Sequence, residues 1–298
     1  IEWAKQLEES GVHVVYGLIG MKTHCKLSML VRRDEDRLRR YVHLGTGNYN
    51  HTTARLYTDI GLLTSREEIT HEVAEVFNML TARSGETFRQ LLVAPTTLMD
   101  GMLERIERET EFARAGQPAA IVAKMNGLTD PKIIKALYHA SMAGVEIDLI
   151  VRGVCRLRPG MLGISERIRV TSIIGRFLEH SRLYYFANGG SPELWAGSAD
   201  WMTRNLRNRV EVVFPIEDPD LQGRLVQFLQ LTLADRVKAR ACQADGRYLR
   251  MEAQEGEAAF AMQDMLMSIT HGSRPPADLP QLTGWSRVAV DEETARRA

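Results

Sequence analysis

The sequence predicts an α/β fold built from two similar halves, and two observations support this prediction. Apolar, β-branched segments alternate with segments of helical length along most of the chain, which is typical of strands layered against helices. A short pattern also occurs twice. Residues 24–26 (HCK) precede the turn 45–48 (GTGN), and residues 180–182 (HSR) precede the turn 197–200 (GSAD). Such internal repeats seldom arise by accident, so we expect two related halves that face one cleft.

The first half is predicted to contain a short helix, three strands and a longer helix. Gly11 ends the first helix, and Ser65 is expected to cap the second, whose first turn carries Glu67 and Glu68. The predicted elements are a helix over 1–10, strands over 12–18, 24–33 and 39–45, and a helix over 65–84.

A second unit is predicted to begin around residues 91–95, where the pattern changes. Its clearest helix has Asp130 as N-cap, Pro131 at the first position and Gly144 after the last turn. The remaining predicted elements are helices over 97–114, 218–240 and 255–270, and strands over 119–125, 146–153, 168–174, 182–188 and 209–216.

These elements predict three parts of the chain. The first domain is expected at 1–91, the second at 92–272, and an extended tail at 273–298, where Pro275, Pro276 and Pro280 lie close together. The chain begins at Ile1 rather than methionine and enters a helix at once. We therefore expect a fragment of a longer polypeptide, with the first domain truncated at its N-terminus.

The composition indicates a soluble globular protein. The chain has 298 residues, of which 44% are hydrophobic and 26% charged. Its first ten residues show neither the basic start nor the apolar stretch of a signal peptide, and no apolar run approaches the ~20 residues of a membrane span. Three widely spaced cysteines favour neither a disulfide framework nor a zinc site, and fit a reducing cytoplasm.

Charge indicates where a polyanion would be attracted. The formal net charge is zero, so no global field exists and any attraction must be local. Ten arginines but only four acidic residues lie between residues 150 and 210. Arginine forms bidentate contacts with phosphate, so this bias favours phosphate binding over a merely solvated surface.

Each repeated histidine is expected beside a permanent cation. Residues i and i+2 of an extended strand share a face, which places Lys26 beside His24 and Arg182 beside His180. A nearby cation lowers the pKa of a histidine and favours the neutral, nucleophilic imidazole. Such pairs suit an anionic substrate, of which phosphate is the commonest.

The two H-x-K/R elements and their turns resemble the phospholipase D superfamily, in which two α/β halves bring paired histidines together. Its phosphodiesterases usually carry an aspartate five residues after the lysine, where this chain has Val31 and Ala187. The stretches KTHCKL (22–27), residues 43–64, LIVRGVCRLRPG (149–160) and residues 177–190 are similar to the C-terminal half of bacterial polyphosphate kinases.

This resemblance implies two phospholipase D-like α/β domains, related by an internal pseudo-repeat, with the catalytic cleft between them. It implies reversible transfer of the ATP γ-phosphate to inorganic polyphosphate. His24 matches the phosphorylated histidine, His180 the second catalytic histidine, Tyr57 the tyrosine on adenine, and Arg152 an arginine on the nucleotide phosphates. The Mg²⁺ site and its two arginines would lie before Ile1, together with a nucleotide-binding asparagine, so no metal ligand is expected within the chain.

The remaining predicted site residues follow from the repeated pattern. We expect His180, Lys26, Arg182 and Asn48 to bind nucleotide or phosphate oxygens. Asn48 and Asp200 are also expected to orient the histidines or to serve as structural turn residues. The expected partners are ATP or ADP and polyphosphate, with no nucleic acid, no transmembrane segment, and a homo-oligomer in the full-length protein. The expected location is the cytoplasm, extending to the periphery of the inner membrane.

Two alternatives remain at this point. The first is a phosphodiesterase or phosphatidyl-transferring enzyme of the wider superfamily, which Val31 and Ala187 disfavour. The second is a non-enzymatic polyanion-binding module, which the two histidines disfavour. Because the metal-binding and nucleotide-binding residues are expected upstream, we expect these 298 residues alone to bind phosphate but not to synthesise polyphosphate at a useful rate.

Overall fold

The predicted α/β class is confirmed by the computed structural model, which describes residues 2–35, 37–81, 87–256 and 259–275. The helices of these ranges are α1 (Glu2–Glu9), α2 (Glu67–Leu80), α3 (Leu98–Arg114), α4 (Pro131–Met142), α5 (Thr203–Arg207), α6 (Pro219–Leu233) and α7 (Met262–Thr270). The strands are β1 (Lys22–Thr23), β2 (Lys26–Asp34), β3 (Arg37–Gly45), β4 (Tyr57–Thr58), β5 (Gly61–Thr64), β6 (Leu92–Ala94), β7 (Ala120–Met125), β8 (Glu146–Val151), β9 (Ile168–Ile173), β10 (Leu178–Glu179), β11 (Leu183–Phe186), β12 (Glu193–Gly197), β13 (Arg209–Pro215), β14 (Ala239–Cys242) and β15 (Tyr248–Arg250).

One large mixed sheet organises the molecule. Its strand order is β1-β13-β12-β11-β7-β8-β9-β14-β15, and β6 also pairs with β13. The central strands β7, β8 and β9 are parallel, so their carboxyl ends meet at one edge of the sheet. In α/β sheets, ligands commonly bind beyond this edge.

Both faces of the central strands are buried, as their continuous apolar sequences predict. Alternate residues point to opposite faces: Ile121, Ala123 and Leu149 pack with α3 and α4, and Val122 and Ile150 pack with α2 and α6.

The first half adds two smaller sheets. Strands β2, β3 and β5 form an antiparallel sheet, in which Lys26 pairs with Gly45. Strands β4 and β10 form a parallel pair in which Tyr57 lies opposite Leu178 and Thr58 opposite Glu179. Strand β1 joins the large sheet by pairing with β13. The two halves are therefore connected through backbone hydrogen bonds at two places.

A buried carboxylate fixes the connection that leads from the first half to the second. Glu72 of α2 accepts hydrogen bonds from the backbone amides of Arg89, Gln90 and Leu91 at 2.7, 2.9 and 2.8 Å. Three such donors satisfy a carboxylate that burial would otherwise penalise. The chain thereby enters β6 at a defined position.

Helix caps agree with the sequence in one case and differ in another. Asp130 caps α4 by accepting hydrogen bonds from the amides of Lys132 and Ile133, and Gly144 adopts a positive φ of 107° after the helix. Ser65 does not cap α2, so that prediction is wrong. The N-cap position belongs to Arg66, whose side chain makes no capping bond.

Three predicted elements differ from the structure. Residues 12–18 form no strand, and Val12, Val15 and Tyr16 are exposed. Helix α6 ends at Leu233, far short of 240, and α7 begins at Met262 rather than 255. The carboxylate of Asp235 explains the early end, because it accepts hydrogen bonds from the amides of residues 237, 238 and 262 and turns the chain into β14.

The domain boundaries 1–91, 92–272 and 273–298 stay predictions. Of the predicted tail, only 273–275 belong to the described residues, and 276–298 lie outside them. Within the described part of the chain, no helix combines the length and the apolar character that crossing a bilayer requires.

Candidate active site

His24 is held between the two halves of the chain. It follows β1, and the amides of His24 and Cys25 donate to the carbonyl of Val210 in β13 at 2.9 and 3.0 Å. Its imidazole Nδ1 lies 2.8 Å from Oε2 of Glu211, also in β13. Because a carboxylate accepts, Nδ1 carries the proton and Nε2 presents its lone pair.

Glu211 is completely buried and has further hydrogen-bond donors. The Ser198 hydroxyl donates to Oε2 at 2.5 Å, and the Asn205 side-chain amide donates to Oε1 at 2.7 Å. A carboxylate with this many fixed donors keeps one orientation. It therefore fixes both the tautomer and the ring plane of His24.

His180 is arranged in the same way, with its support from the opposite half. Its Nδ1 lies 2.8 Å from Oδ1 of Asp59, and the Thr46 hydroxyl donates to that same oxygen at 2.7 Å. The His180 amide also donates to the carbonyl of Thr58 at 3.2 Å. The ring of His180 is thus oriented by the first half, although the residue belongs to the second.

These contacts form a crossed repeat. In each half, a turn hydroxyl binds a carboxylate that holds the histidine of the other half. Thirteen residues separate hydroxyl from carboxylate in both copies: Thr46 from Asp59, and Ser198 from Glu211. Asp59 and Glu211 were not predicted from the sequence, and this equal spacing is the signal that could have found them.

The glycine after Thr46 is required by the close approach of Asp59. A Cβ atom at Gly47 would lie 2.4 Å from Cγ of Asp59 and 2.7 Å from its Cβ. Those atoms carry the carboxylate that orients His180, so they have little freedom to move. This close approach explains why glycine occupies the third position of the first turn.

Both cations of the repeat bond to the backbone of their histidines, and Arg182 also lies beside the ring of His180. The Lys26 ammonium donates to the carbonyl of His24, and Arg182 Nη1 donates to the carbonyl of His180 at 2.8 Å. Arg182 Nη1 also lies 3.2 Å from Nε2 of His180. Asp200 binds the rest of the guanidinium, at 3.2 Å from Nε and 3.3 Å from Nη2.

A short series of contacts joins the two histidines. Lys26, bonded to the carbonyl of His24, pairs with Gly45 across β2 and β3. The carbonyl of the next residue, Thr46, accepts from Arg182 Nη1 at 3.2 Å, and the same nitrogen donates to His180. The predicted residues His24, Lys26, His180 and Arg182 therefore lie at one site.

Burial lowers the pKa of His180 and of Lys26 at this site. The pKa of His180 is lowered mainly by its desolvation, which the hydrogen bond to Asp59 opposes and the nearby charge of Arg182 reinforces. Burial also lowers the pKa of Lys26 from 10.5 to about 8, against the attraction of Glu211. The shift favours the neutral form of His180 near neutral pH, whereas Lys26 still carries its charge at pH 7.

Tyr57 and Arg152 also lie at His180. The ring centroid of Tyr57 is 4.9 Å from that of His180, with 44° between the planes. Arg152 Nε donates to Oδ1 of Asn126 at 2.9 Å, and the Asn126 side-chain amide donates to the carbonyl of His180 at 3.2 Å. Asn126, at the carboxyl end of β7, was not predicted.

The two turn residues Asn48 and Asp200 occupy different environments. Asp200 is buried and also accepts from the amide of Asn126 at 2.7 Å, so it positions Arg182 and β7 rather than a histidine ring. Asn48 is exposed, and its side chain makes no hydrogen bond with any other described residue. The structure therefore does not place Asn48 among the groups that orient the histidines.

A buried ion pair lies directly behind His180. Lys124 Nζ is 3.0 Å from Oε2 of Glu179, and both side chains are 2% exposed. The Thr58 hydroxyl donates to the same oxygen at 3.1 Å, and Gln263 of α7 donates to Oε1. Glu179 therefore connects β4, β7, β10 and α7 one residue before the catalytic candidate His180.

The described residues offer no protein site for a divalent metal. No group of three or more His, Cys, Asp or Glu side chains in this part of the chain could hold a metal ion. Mg²⁺ prefers carboxylate, carbonyl and water oxygens, and Asp59, Asp200 and Glu211 are already used by His180, Arg182 and His24. The residues present therefore do not fit a protein-held Mg²⁺.

Comparisons with known proteins give a consistent result. Residues 1–86 match the family model described as polyphosphate kinase C-terminal domain 1, and residues 91–263 match polyphosphate kinase C-terminal domain 2. A curated polyphosphate kinase of Thermosynechococcus vestitus is 54% identical over 271 residues, and one of Xylella fastidiosa is 53% identical over 266 residues. These alignments cover 91% and 89% of this chain.

The structure is also similar to a solved one. The crystal structure of polyphosphate kinase from Porphyromonas gingivalis matches 92% of this chain with a TM-score of 0.85 and 37% sequence identity. The chain covers 42% of that protein, and 37% and 38% of the two curated relatives. On these matches, the chain belongs to the polyphosphate kinase family and carries its two C-terminal domains.

Proposed function

We propose that this chain provides the catalytic histidines of a polyphosphate kinase, which transfers the γ-phosphate of ATP reversibly to inorganic polyphosphate through a phosphohistidine on His24. The observation that carries the proposal is the crossed arrangement of His24 on Glu211 and His180 on Asp59, each at 2.8 Å. Two oriented imidazoles beside buried cations match what phosphoryl transfer requires, namely positioning and charge neutralisation.

In the first step, Nε2 of His24 attacks the γ-phosphorus. A nitrogen–phosphorus bond forms while the bond from phosphorus to the bridging oxygen breaks, and ADP leaves with that electron pair. The ring becomes an N-phosphorylated imidazolium that keeps its proton on Nδ1. Glu211, 2.8 Å away, neutralises the new positive charge, as a carboxylate behind a catalytic histidine does in other enzymes.

In the second step, a terminal oxygen of polyphosphate attacks the phosphorus and His24 leaves as neutral imidazole. His180 is proposed as the general base that takes a proton from that oxygen, and as the general acid in the reverse direction. Its lowered pKa, caused mainly by burial, keeps it neutral at pH 7 and ready to accept a proton.

The remaining residues bind the substrates. Tyr57, in ring contact with His180, is proposed to pack against adenine. Arg152 is half-buried and uses Nε for Asn126, so its terminal nitrogens remain for nucleotide phosphates. Lys26 is proposed to neutralise the transferring phosphoryl group, because a bound anion favours the charged form of a lysine whose pKa is about 8.

Mg²⁺ enters the proposal only as the counter-ion of the nucleotide phosphates, which it commonly accompanies in kinases. No protein ligand for it is proposed among the described residues, and no step depends on one. Since the chain covers 37% of its Thermosynechococcus relative, we expect the 298 residues alone to bind phosphate weakly without useful polyphosphate synthesis.

Phosphate labelling tests the proposal. The protein expressed from its complete reading frame is incubated with γ-labelled ATP and Mg²⁺, and the label is mapped by peptide analysis. We expect acid-labile, base-stable phosphate on His24, and its loss in His24→Ala.

His43→Ala is the control, because His43 bonds to Tyr49 and belongs to no carboxylate pair among the described residues. Acid-stable label, or label that persists in His24→Ala, contradicts the proposal. Diester hydrolysis without ATP–polyphosphate exchange would assign the protein to the phosphodiesterase alternative.

A further inference from the structure

The ten arginines of residues 150–210 fall into two groups. Four of them, Arg167, Arg169, Arg182 and Arg209, lie within 4.0 Å of a carboxylate. The other six form no ion pair with any described residue, and five of them lie on two segments at the carboxyl edge of the sheet, one a loop and the other including α5. These five are Arg152, Arg156, Arg158, Arg204 and Arg207.

Three neighbouring segments make up this edge: residues 126–132, 152–158 and 199–207. Together they carry six cations and two acidic residues. The acidic residues are buried and already bonded, Asp130 to the N-terminus of α4 and Asp200 to Arg182. The exposed cations, which we term the cationic rim, are Lys132, Arg156, Arg158, Arg204 and Arg207.

Backbone contacts hold the three segments side by side. Leu128 forms β-bridges with both Cys155 and Trp201. At about 4.8 Å between neighbouring strands, the outer two segments lie roughly 10 Å apart. Gly127 permits this packing, because a Cβ atom there would lie 2.8 Å from Sδ of Met202 and 3.4 Å from a methyl of Val154.

The rim continues outward from the catalytic site. Arg152 and Asp200, which bind Asn126 and Arg182 beside His180, each begin a loop that leads to the rim. Arg156 and Arg204 lie four residues farther on, at most about 14 Å of extended chain. The rim therefore lies within reach of a linear anion whose end is at His180.

At the opposite edge of the sheet, by contrast, arginines are paired with carboxylates. There, Arg167 pairs with Glu146 at 2.6 Å and Arg169 with Asp148 at 2.6 Å. Unpaired like charges repel one another, so their concentration at one edge favours an anionic ligand.

We propose that the cationic rim is a subsite for the distal phosphates of a polyphosphate chain whose end lies at His24 and His180. The proposal rests on the proposed function and adds the path of the substrate. Single-stranded nucleic acid is disfavoured, because it requires exposed aromatic side chains for base stacking. Trp201 is the one aromatic residue of the three segments, and it is 1% exposed.

The test compares a rim variant with a matched control. Arg156→Ala/Arg204→Ala/Arg207→Ala removes three rim charges. Arg114→Ala/Arg167→Ala/Arg247→Ala removes three exposed arginines that pair with carboxylates elsewhere. Calorimetry then measures the binding of inorganic triphosphate and of long-chain polyphosphate to the 298-residue chain at several salt concentrations.

We expect the rim variant to bind long-chain polyphosphate roughly 30-fold more weakly, at about threefold for each exposed arginine–phosphate pair. In a plot of the logarithm of the binding constant against that of the salt concentration, the slope should become shallower by about 0.7 for each phosphate that the variant no longer neutralises. Triphosphate affinity should stay within about threefold, since that ligand ends within the histidine site. The control should keep both affinities.

Unchanged long-chain affinity in the rim variant overturns the subsite. Equal binding of single-stranded DNA, abolished in the same variant, overturns its assignment to polyphosphate. If polyphosphate binding depends on the rim but His24 is never labelled, the subsite is retained and the proposed phosphoryl transfer is contradicted. Labelled His24 with a rim that does not affect binding contradicts only the subsite.

Discussion

Replacing Glu211 with glutamine isolates the role of the carboxylate behind His24. Glutamine has the same shape, but one of its two ends is an NH₂ group. Asn205 donates to Oε1 and Ser198 donates to Oε2, so either orientation of the amide removes one of these acceptors. When the NH₂ group faces His24, it donates to Nδ1 and drives the ring proton to Nε2.

The magnitude follows from the loss of the nucleophilic lone pair. A wrong histidine tautomer costs about 10⁴ in rate in a catalytic triad. In His24, the neutral amide also fails to stabilise the cationic ring that phosphorylation creates. We therefore expect histidine phosphorylation to slow by about 10³–10⁴, equivalent to roughly 4–5.5 kcal/mol of transition-state stabilisation.

Two measurements check this prediction. Rapid-quench labelling of the protein from its complete reading frame gives the rate of His24 phosphorylation at saturating ATP. Nitrogen NMR of the 298-residue chain reports the His24 tautomer directly. Glu109→Gln is the control, because Glu109 is also fully buried but accepts from the amides of Ala120 and Asn188 at the opposite edge of the sheet.

This prediction is contradicted if wild-type His24 carries its proton on Nε2. It also fails if folded Glu211→Gln labels within about threefold of the wild-type rate. If Glu109→Gln slows labelling as much as Glu211→Gln does, the effect is one of stability and not of His24 orientation.

Three further predictions concern other groups of the site. Lys26→Met should stabilise the fold at pH 7 by on the order of 1–3 kcal/mol while weakening triphosphate binding. In the folded protein the pKa of Lys26 is about 8, below its ordinary value of 10.5. The free-energy cost of burying the charged lysine is therefore complete below pH 8 and disappears as the pH rises to 10.5. Denaturation at several pH values checks this, and a gain that grows above pH 8 would contradict it. His180→Ala should slow phosphoryl transfer by about 10²–10⁴ and keep nucleotide affinity within roughly tenfold. Kinetics gives the transfer rate and calorimetry the affinity. Nucleotide affinity that falls together with activity would make His180 a phosphate ligand. Glu179→Gln should cost about 3 kcal/mol in urea denaturation, because Lys124 is left without its counter-charge, and Lys124→Met/Glu179→Gln should recover most of it. No recovery would mean that the packing of Glu179, and not its charge, stabilises the fold.

The sequence predicted most accurately those features that depend on local chemistry. Asp130 and Pro131 define the start of α4 through capping and a fixed φ. The central strands read as apolar runs because both of their faces are buried. The repeated histidine pattern led to side chains that the structure brings to one site, although their catalytic roles remain predictions.

The features that were missed depend on contacts between distant parts of the chain. Strands β4 and β10 have two residues each and form only because they pair across more than 100 positions. The ion pair of Glu179 with Lys124 joins residues that are distant in sequence, and no periodicity reveals it. Asp59 and Glu211 were overlooked because the repeat was compared only as far as the turns, and the carboxylates lie thirteen residues beyond the hydroxyls.

The crossed carboxylates make the orientation of both histidines, and so the proposed catalysis, depend on contact between the halves. Glu211 of the second half orients His24 of the first, and Asp59 of the first orients His180 of the second. Neither half alone contains a histidine together with its orienting carboxylate. A displacement at β1–β13 would weaken the hydrogen bond of His24 to Glu211, and one at β4–β10 would weaken that of His180 to Asp59, since each histidine follows one of these strand pairs. A substrate that draws the halves together would therefore align the proposed nucleophile and the proposed acid–base group in the same motion.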